Sequence, residues 1–459
     1  MNKDLHGYLE HLEKDLPDEI IRIKKEVSPE YEIPAILNKL EARKRSPVLL
    51  FENVLNLKGE PSGMPVAINL FGTRERIAES IGTTKDRLAE DYMKAEVAIP
   101  PVIVSAAEAT VKEVIRTGAD VDLRDYPILT HHDMDLGPYF AGGSVWMKDL
   151  ETGMTNCSIV RIFVDGANRL LVNFNVARHA HNMFQKYIKA GKDMPMVIVL
   201  GHHPAFFLGA QTKLLTEEPE IIGGVMGEPL ELVPSETWGA EMMVPAHAEM
   251  VVEAVLSVTK KDIEAPFGEF TQYYGGQKLN PVAEVTAVTH RKNAIFMDIM
   301  PGYADHLLID IPSLEAFALK RIRETVPNVT AIHVPMSGTA RLHAYIQLDK
   351  KNDAQPNTAI CAAFSADFRF KHVIVVDTDI DVFDEEQVLW AVATRSQWDK
   401  DLFVVPRMVG SWLDPTADDM ITAKAGIDAT KPAGIKDFPE KISLPAEVVQ
   451  RIRLEDYID

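Results

Sequence analysis

The chain opens with a helix-and-strand pattern of apolar residues. Apolar positions that recur every three to four residues predict a helix near the start, and a second such pattern follows about 60 residues later. Extended apolar runs lie between and after them. The elements expected are a helix through Leu5, Tyr8, Leu9 and Leu12, strands within 47–72, a helix over 74–92 and a strand at 99–105. Together they predict an N-terminal α/β part over residues 1–108.

Strand patterns dominate the middle of the chain, residues 109–303. Asp165-Gly166 separates two of them and predicts a hairpin turn, because tight hairpin turns need residues with positive φ. Many strands with few helices predict a barrel or a strongly coiled sheet. The elements expected are strands at 155–164, 170–176, 196–200, 230–233, 282–289 and 294–300, with helices at 181–190 and 204–215.

Helices and strands alternate again in residues 304–459, which predicts a C-terminal α/β domain. Ser313 is expected to cap a helix that ends near 325, and Asp384 with Gln387 forms a capping box for a helix that ends near 395. The tail after 410 has an irregular pattern. The other elements expected are strands at 330–335, 343–349 and 372–377 and a short helix near 445–453.

Composition excludes several classes of protein. The 459 residues include 48 basic and 68 acidic ones, which gives a net charge of −20. Nucleic-acid binding needs a concentrated basic face, and the sequence shows none. No apolar run reaches the roughly 18 residues of a membrane span, and the N-terminus has no apolar signal core. Cys157 and Cys361 are too few for a disulfide framework or a thiolate zinc site. A cytoplasmic protein is expected.

Three charged residues indicate possible acid–base chemistry. Arg161 lies in an apolar strand pattern, where an arginine is costly unless it is paired. Glu264 and Glu269 flank Pro266 and Gly268, which force a turn that can aim both carboxylates into one cavity. The alternatives are an arginine that reaches solvent from a strand end and two solvated loop glutamates. Both interpretations stay open on the residues alone.

A second group suggests a ligand site. His179 is expected at a strand-to-helix junction, where ligands commonly bind, although a lone histidine is usually structural. Glu217, Glu218 and Glu220 begin a helix, where they either stabilise the helix dipole or bind a metal. The chain lacks the common nucleophile, phosphate-loop, zinc-protease and dinucleotide fingerprints. Any chemistry is therefore expected to need a cofactor that these fingerprints do not detect.

Several stretches, in their order and spacing, resemble the UbiD family of reversible decarboxylases, which use prenylated FMN. The resemblance covers most of the chain. It implies a reversible decarboxylation of an aromatic, heteroaromatic or α,β-unsaturated acid, with CO₂ as the other product. The stretches are Tyr126–Tyr139, Thr155–Arg161, Arg178-His179, Val244–Glu253, Glu264–Glu269 and Val375–Asp381.

The resemblance also implies which residues form the site. The metal ligands map onto Asn156, His179 and Glu220, with Glu217 or Glu218 as open alternatives to Glu220. An amide oxygen, an imidazole and a carboxylate suit Mn²⁺ or Mg²⁺, which would hold the flavin phosphate, and family members bind K⁺ beside it. Further cofactor-binding residues would be Ser158, Arg161 and Arg178.

The catalytic trio of the family maps onto Glu264, Arg161 and Glu269, with Glu269 as the proton donor. One geometric condition follows from the numbering. Asn156 and Arg161 are five residues apart, so a regular strand would place them on opposite faces. To serve one cofactor they need a bulge or a strand end between them.

The fold that the resemblance implies is mixed α/β: an N-terminal α/β part, a central split β-barrel of the flavin-reductase type and a C-terminal α/β domain. The active site would lie between the last two. A homodimer or hexamer and a flavin prenyltransferase that supplies the cofactor are the expected partners. Two other functions stay open: an FMN-dependent oxidoreductase, and a non-catalytic subunit of a multi-component decarboxylase.

Overall fold

The computed structural model describes residues 3–174, 179–433 and 438–457. Three larger sheets of four, nine and five strands follow one another along the chain, with helices packed beside them. The expected mixed α/β fold class is confirmed, including a curled half-barrel sheet in the middle. Within these ranges no helix is both long and apolar enough to cross a bilayer.

The N-terminal part forms a four-stranded sheet in the order β1 (Ile20–Ile23), β2 (Val48–Phe51), β3 (Val66–Ile68) and β18 (Phe296–Met297), so its last strand comes from the end of the central part. The predicted apolar face of α1 is buried. The helix predicted over 74–92 is two helices, because Gly82 (φ +72°) ends the first one. The elements are α1 (Leu5–Asp15), β1 (Ile20–Ile23), α2 (Glu32–Glu41), β2 (Val48–Phe51), β3 (Val66–Ile68), α3 (Arg74–Ser80), α4 (Leu88–Ala95) and β4 (Val102–Ile103).

The central part is built on the nine-stranded sheet, whose main path is β6-β9-β10-β17-β14-β11-β7-β8, with β5 paired to β17. Its elements are β5 (Val114–Thr117), β6 (Tyr139–Phe140), β7 (Ser144–Lys148), β8 (Thr155–Ile159), β9 (Ile162–Val164), β10 (Arg169–Val172), α5 (His179–Ala190), β11 (Met194–Leu200), α6 (Pro204–Gly209), α7 (Glu218–Met226), β12 (Glu231–Ser235), β13 (Gly239–Pro245), β14 (Met250–Glu264), β15 (Phe267–Gly268), β16 (Tyr274–Gly275), β17 (Lys278–His290) and β18 (Phe296–Met297).

The long strand β14 was not predicted from the sequence. Its first half pairs with β11 and β17 in the buried sheet, and its second half, from Lys261 to Glu264, pairs with the beginning of β17 alone. A register shift between Leu256 and Lys261 separates the halves. The second half carries lysine and aspartate side chains that face solvent, which hides the strand pattern in the sequence.

The C-terminal part is a five-stranded sheet in the order β19-β20-β21-β23-β22. Ser313 does not cap its first long helix, which begins at Ile311, and instead donates to the Gln211 carbonyl at 2.6 Å. Asp384 caps its helix as predicted, since its Oδ1 accepts from the Gln387 backbone N–H, but the reciprocal half of the capping box is absent: Gln387 Nε2 donates to Asp384 Oδ2 at 2.9 Å, and the Asp384 N–H donates to the Asp381 carbonyl. The tail predicted as irregular contains a strand, β23. The elements are α8 (Ala304–Leu308), α9 (Ile311–Thr325), β19 (Val329–His333), β20 (His343–Leu348), α10 (Gln355–Ala366), β21 (His372–Asp377), α11 (Glu385–Arg395), β22 (Leu402–Val409), β23 (Ile421–Ala429) and α12 (Ala446–Arg451).

Candidate active site

A break in the sheet places Arg161. The strand predicted over 155–164 is two strands: β8 ends at Ile159 and pairs with β7, whereas β9 begins at Ile162 and pairs with β6 and β10. Arg161 lies in the gap between them. The interruption that Asn156 and Arg161 need in order to serve one cofactor is therefore present.

Arg161 binds both predicted carboxylates. Its Nε donates to Glu264 Oε1 at 2.9 Å and one terminal nitrogen donates to Glu264 Oε2 at 3.3 Å. The other terminal nitrogen donates to Glu269 Oε1. The three residues that the family resemblance assigned to catalysis are thus in contact. Glu264 and Glu269 lie 103 and 108 positions after Arg161 in the chain.

The trio is almost closed to solvent. Glu264 is 0% exposed, Glu269 is 8% exposed and the Arg161 side chain is 10% exposed. The guanidinium carbon lies 4.8 Å from the centroid of the Phe267 ring, a favourable cation–π contact. Burial alone would lower the pKa of Arg161, but Glu269 and Glu264 together raise it above the usual arginine value. The arginine therefore stays charged and holds both acids in fixed positions.

The turn between the two glutamates is fixed by backbone pairing and by one glycine. Phe267-Gly268 forms β15, which pairs with β16, and the Glu269 N–H donates to the Tyr273 carbonyl at 3.0 Å. A Cβ on Gly268 would lie 2.5 Å from the His132 ring, so a side chain does not fit there. The turn that Pro266 and Gly268 predicted is thus a short hairpin that presents Glu269 to Arg161.

Two asparagines complete the network, and sequence reasoning assigned no role to either. Asn280 Nδ2 donates to Glu264 Oε2, and the Asn173 amide oxygen, in the orientation that satisfies the amide, accepts from the Arg161 guanidinium. Asn280 lies on β17 opposite Asp262 on β14. Only the register of β14 against β17 would have identified it, and β14 was not predicted.

A second cluster lies at the beginning of α7, next to β8. Glu218 Oε1 accepts from Asn156 Nδ2 at 2.5 Å, and Glu218 Oε2 accepts from the Cys157 N–H. His179 Nδ1, on α5, is 3.7 Å from Glu218 Oε1. The Ser158 hydroxyl donates to Asn156 Oδ1 at 3.0 Å. The structure therefore gathers one amide, one imidazole and one carboxylate.

The carboxylate in this cluster is Glu218 and not the expected Glu220. Residues two positions apart on a helix point about 200° apart, because each residue turns the helix by about 100°. Glu220 instead lines a cavity of about 200 Å³ together with Thr155 and Glu217. The sequence run Glu-Glu-Pro-Glu does not reveal which of its acids faces β8. The predicted cofactor ligand Arg178 lies outside the described residues.

Glu218 is a suitable ligand for a divalent cation. Its side chain is 3% exposed, and burial raises its pKa, while hydrogen bonds from His179, Cys157 and Asn156 act in the opposite direction. No lysine or arginine pairs with it in the described part of the chain. Nor do the described residues hold a cluster of three or more His, Cys, Asp and Glu side chains, so a metal here needs the Asn156 amide as a ligand.

Three domain models of one family match nearly the whole chain. They are the N-terminal domain of 3-octaprenyl-4-hydroxybenzoate carboxy-lyase (UbiD) at residues 9–96, its Rift-related domain at 102–304 and its C-terminal domain at 309–429. These ranges follow the order of the three parts of the fold. They leave only short connecting and terminal segments unmatched.

Several known proteins are similar to this chain along nearly their whole lengths. An anhydromevalonate phosphate decarboxylase from Methanosarcina mazei is 32% identical over 434 residues, 93% of this chain and 96% of the relative. The solved structure of the UbiD-class enzyme HmfF from Pelotomaculum thermopropionicum, in complex with FMN, has a TM-score of 0.92 and 36% identity, and covers 99% of this chain and 100% of that one. An evolved dimeric form of the same enzyme, in complex with prFMN, has a TM-score of 0.89 and 35% identity, and covers 100% of both chains.

Proposed function

The chain belongs to the UbiD family of carboxy-lyases, and on that premise we propose that it decarboxylates an aromatic, heteroaromatic or α,β-unsaturated carboxylic acid, reversibly and without net oxidation, with prenylated FMN. One observation carries the proposal: the buried Arg161 bound by both Glu264 and Glu269. Hydride transfer by a plain FMN oxidoreductase needs no such trio, and a non-catalytic subunit needs no buried acid beside a cation.

The proposed substrates include non-aromatic acids because of one relative. The relative from Methanosarcina mazei is named for anhydromevalonate phosphate, which is not an aromatic acid. Candidate acids therefore extend from aromatic to aliphatic unsaturated ones. Every one of them must lose CO₂ from an unsaturated carbon and gain a proton there.

The residues of the trio have separate tasks. Bound prenylated FMN supplies the electron sink for the carbon that loses CO₂. Asn280 holds Glu264, Glu264 holds the guanidinium of Arg161 in place, and Arg161 orients Glu269 and stabilises negative charge near it. Glu269 carries a proton and transfers it to the carbon that bore the carboxylate. In the carboxylation direction the same carboxylate takes the proton back.

Asn156, His179 and Glu218 would hold the divalent cation, Mn²⁺ or Mg²⁺. One amide oxygen, one neutral imidazole nitrogen and one carboxylate suit such an ion better than a metal that prefers thiolates. They leave about one positive charge on the ion, which would attract the flavin phosphate. A K⁺ ion bound beside it through main-chain oxygens stays a prediction.

Assembly and cofactor supply complete the proposal. A homodimer or hexamer is expected, and the evolved form of HmfF shows that a similar chain can exist as a dimer. Amino-acid side chains offer no adequate electron sink for the carbon that loses CO₂, so the reaction needs prenylated FMN, and a flavin prenyltransferase is its expected supplier.

The proposal predicts activity only in protein made together with a flavin prenyltransferase. We expect such protein to release CO₂ from at least one of cinnamate, 4-hydroxybenzoate, furan-2-carboxylate and anhydromevalonate phosphate, and its extracted cofactor to have the mass of prenylated FMN. Protein made without the prenyltransferase serves as the control and should be folded and inactive. CO₂ release from flavin-free protein, or exclusive retention of plain FMN by active protein, would contradict the proposal.

A further inference from the structure

Lys278 lies beside the Arg161–Glu264–Glu269 trio. It is the residue directly opposite Glu264 in the ladder of β14 and β17, and directly opposite residues in an antiparallel pair project to the same face of the sheet. Asn280, two positions further along β17, shares that face and donates to Glu264. The Lys278 side chain is therefore directed to the side of the sheet on which the trio lies.

The ammonium of Lys278 is held without a carboxylate. No ion pair or hydrogen bond joins it to an acid in the described part of the chain, and Glu264 is already occupied by Arg161 and Asn280. Lys278 Nζ instead lies 3.2 Å from the centroid of the Trp412 ring, a residue of the C-terminal part. An aromatic face stabilises a cation and leaves its N–H groups free to bind an anion.

The charges around the trio indicate which anion fits. Glu269 is protonated when it acts as the donor, so the positive charge of Arg161 is already balanced by Glu264. The trio then has no net positive charge to bind an anion. Glu269 must reach the carbon that bears the substrate carboxylate, so this carboxylate has to bind within a short distance of the trio. A further cation is needed there to balance the charge of the substrate.

We propose, on the basis of the function proposed above, that Lys278 is a substrate-binding residue whose ammonium holds the carboxylate that is to be removed. Burial, with the nearby Arg161, lowers the pKa of Lys278 to about 8, against the opposing effect of Glu269 and Glu264. A substrate carboxylate would raise that pKa again, since it favours the charged ammonium. The lysine is thus a cation whose partner arrives with the substrate.

This role affects substrate binding and not the chemical step. The negative charge of the carboxylate disappears as CO₂ forms, so the contact with Lys278 is strongest in the ground state. Replacing Lys278 by methionine should raise KM about 10- to 100-fold, the range expected when a hydrogen bond to a charged group is lost. It should not lower kcat. Lys278→Arg should restore most of the affinity.

The pH dependence of KM gives a second signature. Lysine is charged below its pKa, so KM of the wild type should rise as the pH increases through about 8, while KM of Lys278→Met should not follow that rise. The charged groups that act on Lys278 are Arg161, Glu264 and Glu269, and all three remain in the variant. A merely structural lysine would leave no such difference between the two profiles.

The test uses flavin-loaded wild type, Lys278→Met and Lys278→Arg. Lys261→Met is the matched control, because Lys261 lies on the same strand pair, opposite Pro281, and is exposed. Steady-state kinetics with the acids named above give KM and kcat. In parallel, acetylation of Lys278 by an N-hydroxysuccinimide ester is followed by peptide mass spectrometry, with each acid and with cinnamamide and 4-hydroxybenzamide.

We expect an acid to slow acetylation of Lys278 and the neutral amides to leave it unchanged. Acetylation that no acid slows, or a KM for Lys278→Met within about twofold of the wild type, would overturn the proposal. The experiment distinguishes failure of the lysine proposal from failure of the decarboxylase proposal. CO₂ release from an acid that does not slow acetylation of Lys278 would contradict only the role of the lysine. Protection of Lys278 without any CO₂ release removes only the decarboxylase function.

Discussion

Arg161 shows at the scale of single residues why the trio must be treated as one unit. The guanidinium is buried, and within the described residues its carboxylate contacts are with Glu264 and Glu269. Removal of one partner from a buried ion pair costs roughly 3–5 kcal/mol, because the remaining charge is uncompensated. Truncation of Glu264 would therefore mix a folding defect with a catalytic one. Changes that keep shape, such as glutamate to glutamine, give clearer results.

The cluster of Asn156, His179 and Glu218, which we propose as the cation site, allows a direct test between two neighbouring acids. We predict that Glu218→Gln lowers affinity for Mn²⁺ at least 10–100-fold, the range seen for the loss of supporting contacts around a metal, and that flavin is lost with the ion. Glu220→Gln should retain both, since Glu220 faces a separate cavity. Metal and flavin contents of the purified variants provide the measurement. The reverse pattern would restore Glu220 as the ligand.

The sequence predicted functional residues that lie in a recognisable motif. It did not predict residues whose position depends on how two strands pair. Arg161, Glu264 and Glu269 each lie in a distinctive stretch, and the structure brings them together. The motif around Glu217 to Glu220 offers three acids with no sequence signal for the direction in which each one points. Lys278 and Trp412 lie in no recognised motif, and their contact exists only in the folded chain.

At the scale of secondary structure, two irregular segments position the chemistry. The gap between β8 and β9 frees Arg161 from the alternation of a regular strand, and the β15–β16 hairpin returns Glu269 to it. The sequence indicated both places, through the spacing of Asn156 and Arg161 and through the Pro-x-Gly turn. It did not reveal β14, because the solvent-facing charges of its second half resemble a loop.

Gly268 is the most constrained point of this hairpin. We predict that Gly268→Ala lowers turnover and the melting temperature, because its Cβ would meet the His132 ring at 2.5 Å, and such overpacking costs about 1–3 kcal/mol. His132 cannot move freely, since its ring contacts those of Tyr274 and Tyr303. Thermal unfolding and kcat of the flavin-loaded variant are the measurements.

Gly276→Ala is the matched control for that substitution. It lies just beyond the same hairpin, and no atom comes within 4 Å of a Cβ placed there. We expect it to keep the turnover and stability of the wild type. Equal behaviour of the two alanine variants would show that the contact with His132 does not position Glu269.

At the scale of the whole molecule, the site is assembled from distant parts of the chain. Glu264, Glu269 and Lys278 come from the central part, and Trp412 comes from the C-terminal part, where it contacts Lys278. The family resemblance predicted three parts in this order and a site between the last two. Hydrophobic patterning predicted the elements of each part. It carries no information on contacts between parts, which depend on the packing of the complete fold.

The most direct test of the account is deuterium exchange at the carbon of the decarboxylated product. Holoenzyme incubated in D₂O with the product of an acid that it turns over should introduce deuterium at that carbon, because Glu269 exchanges its proton with solvent. Glu269→Gln should slow both exchange and CO₂ release by about 10²–10⁴-fold, the usual contribution of general acid catalysis, with flavin content unchanged. If Glu269→Gln exchanges and decarboxylates as fast as the wild type, Glu269 is not the proton donor.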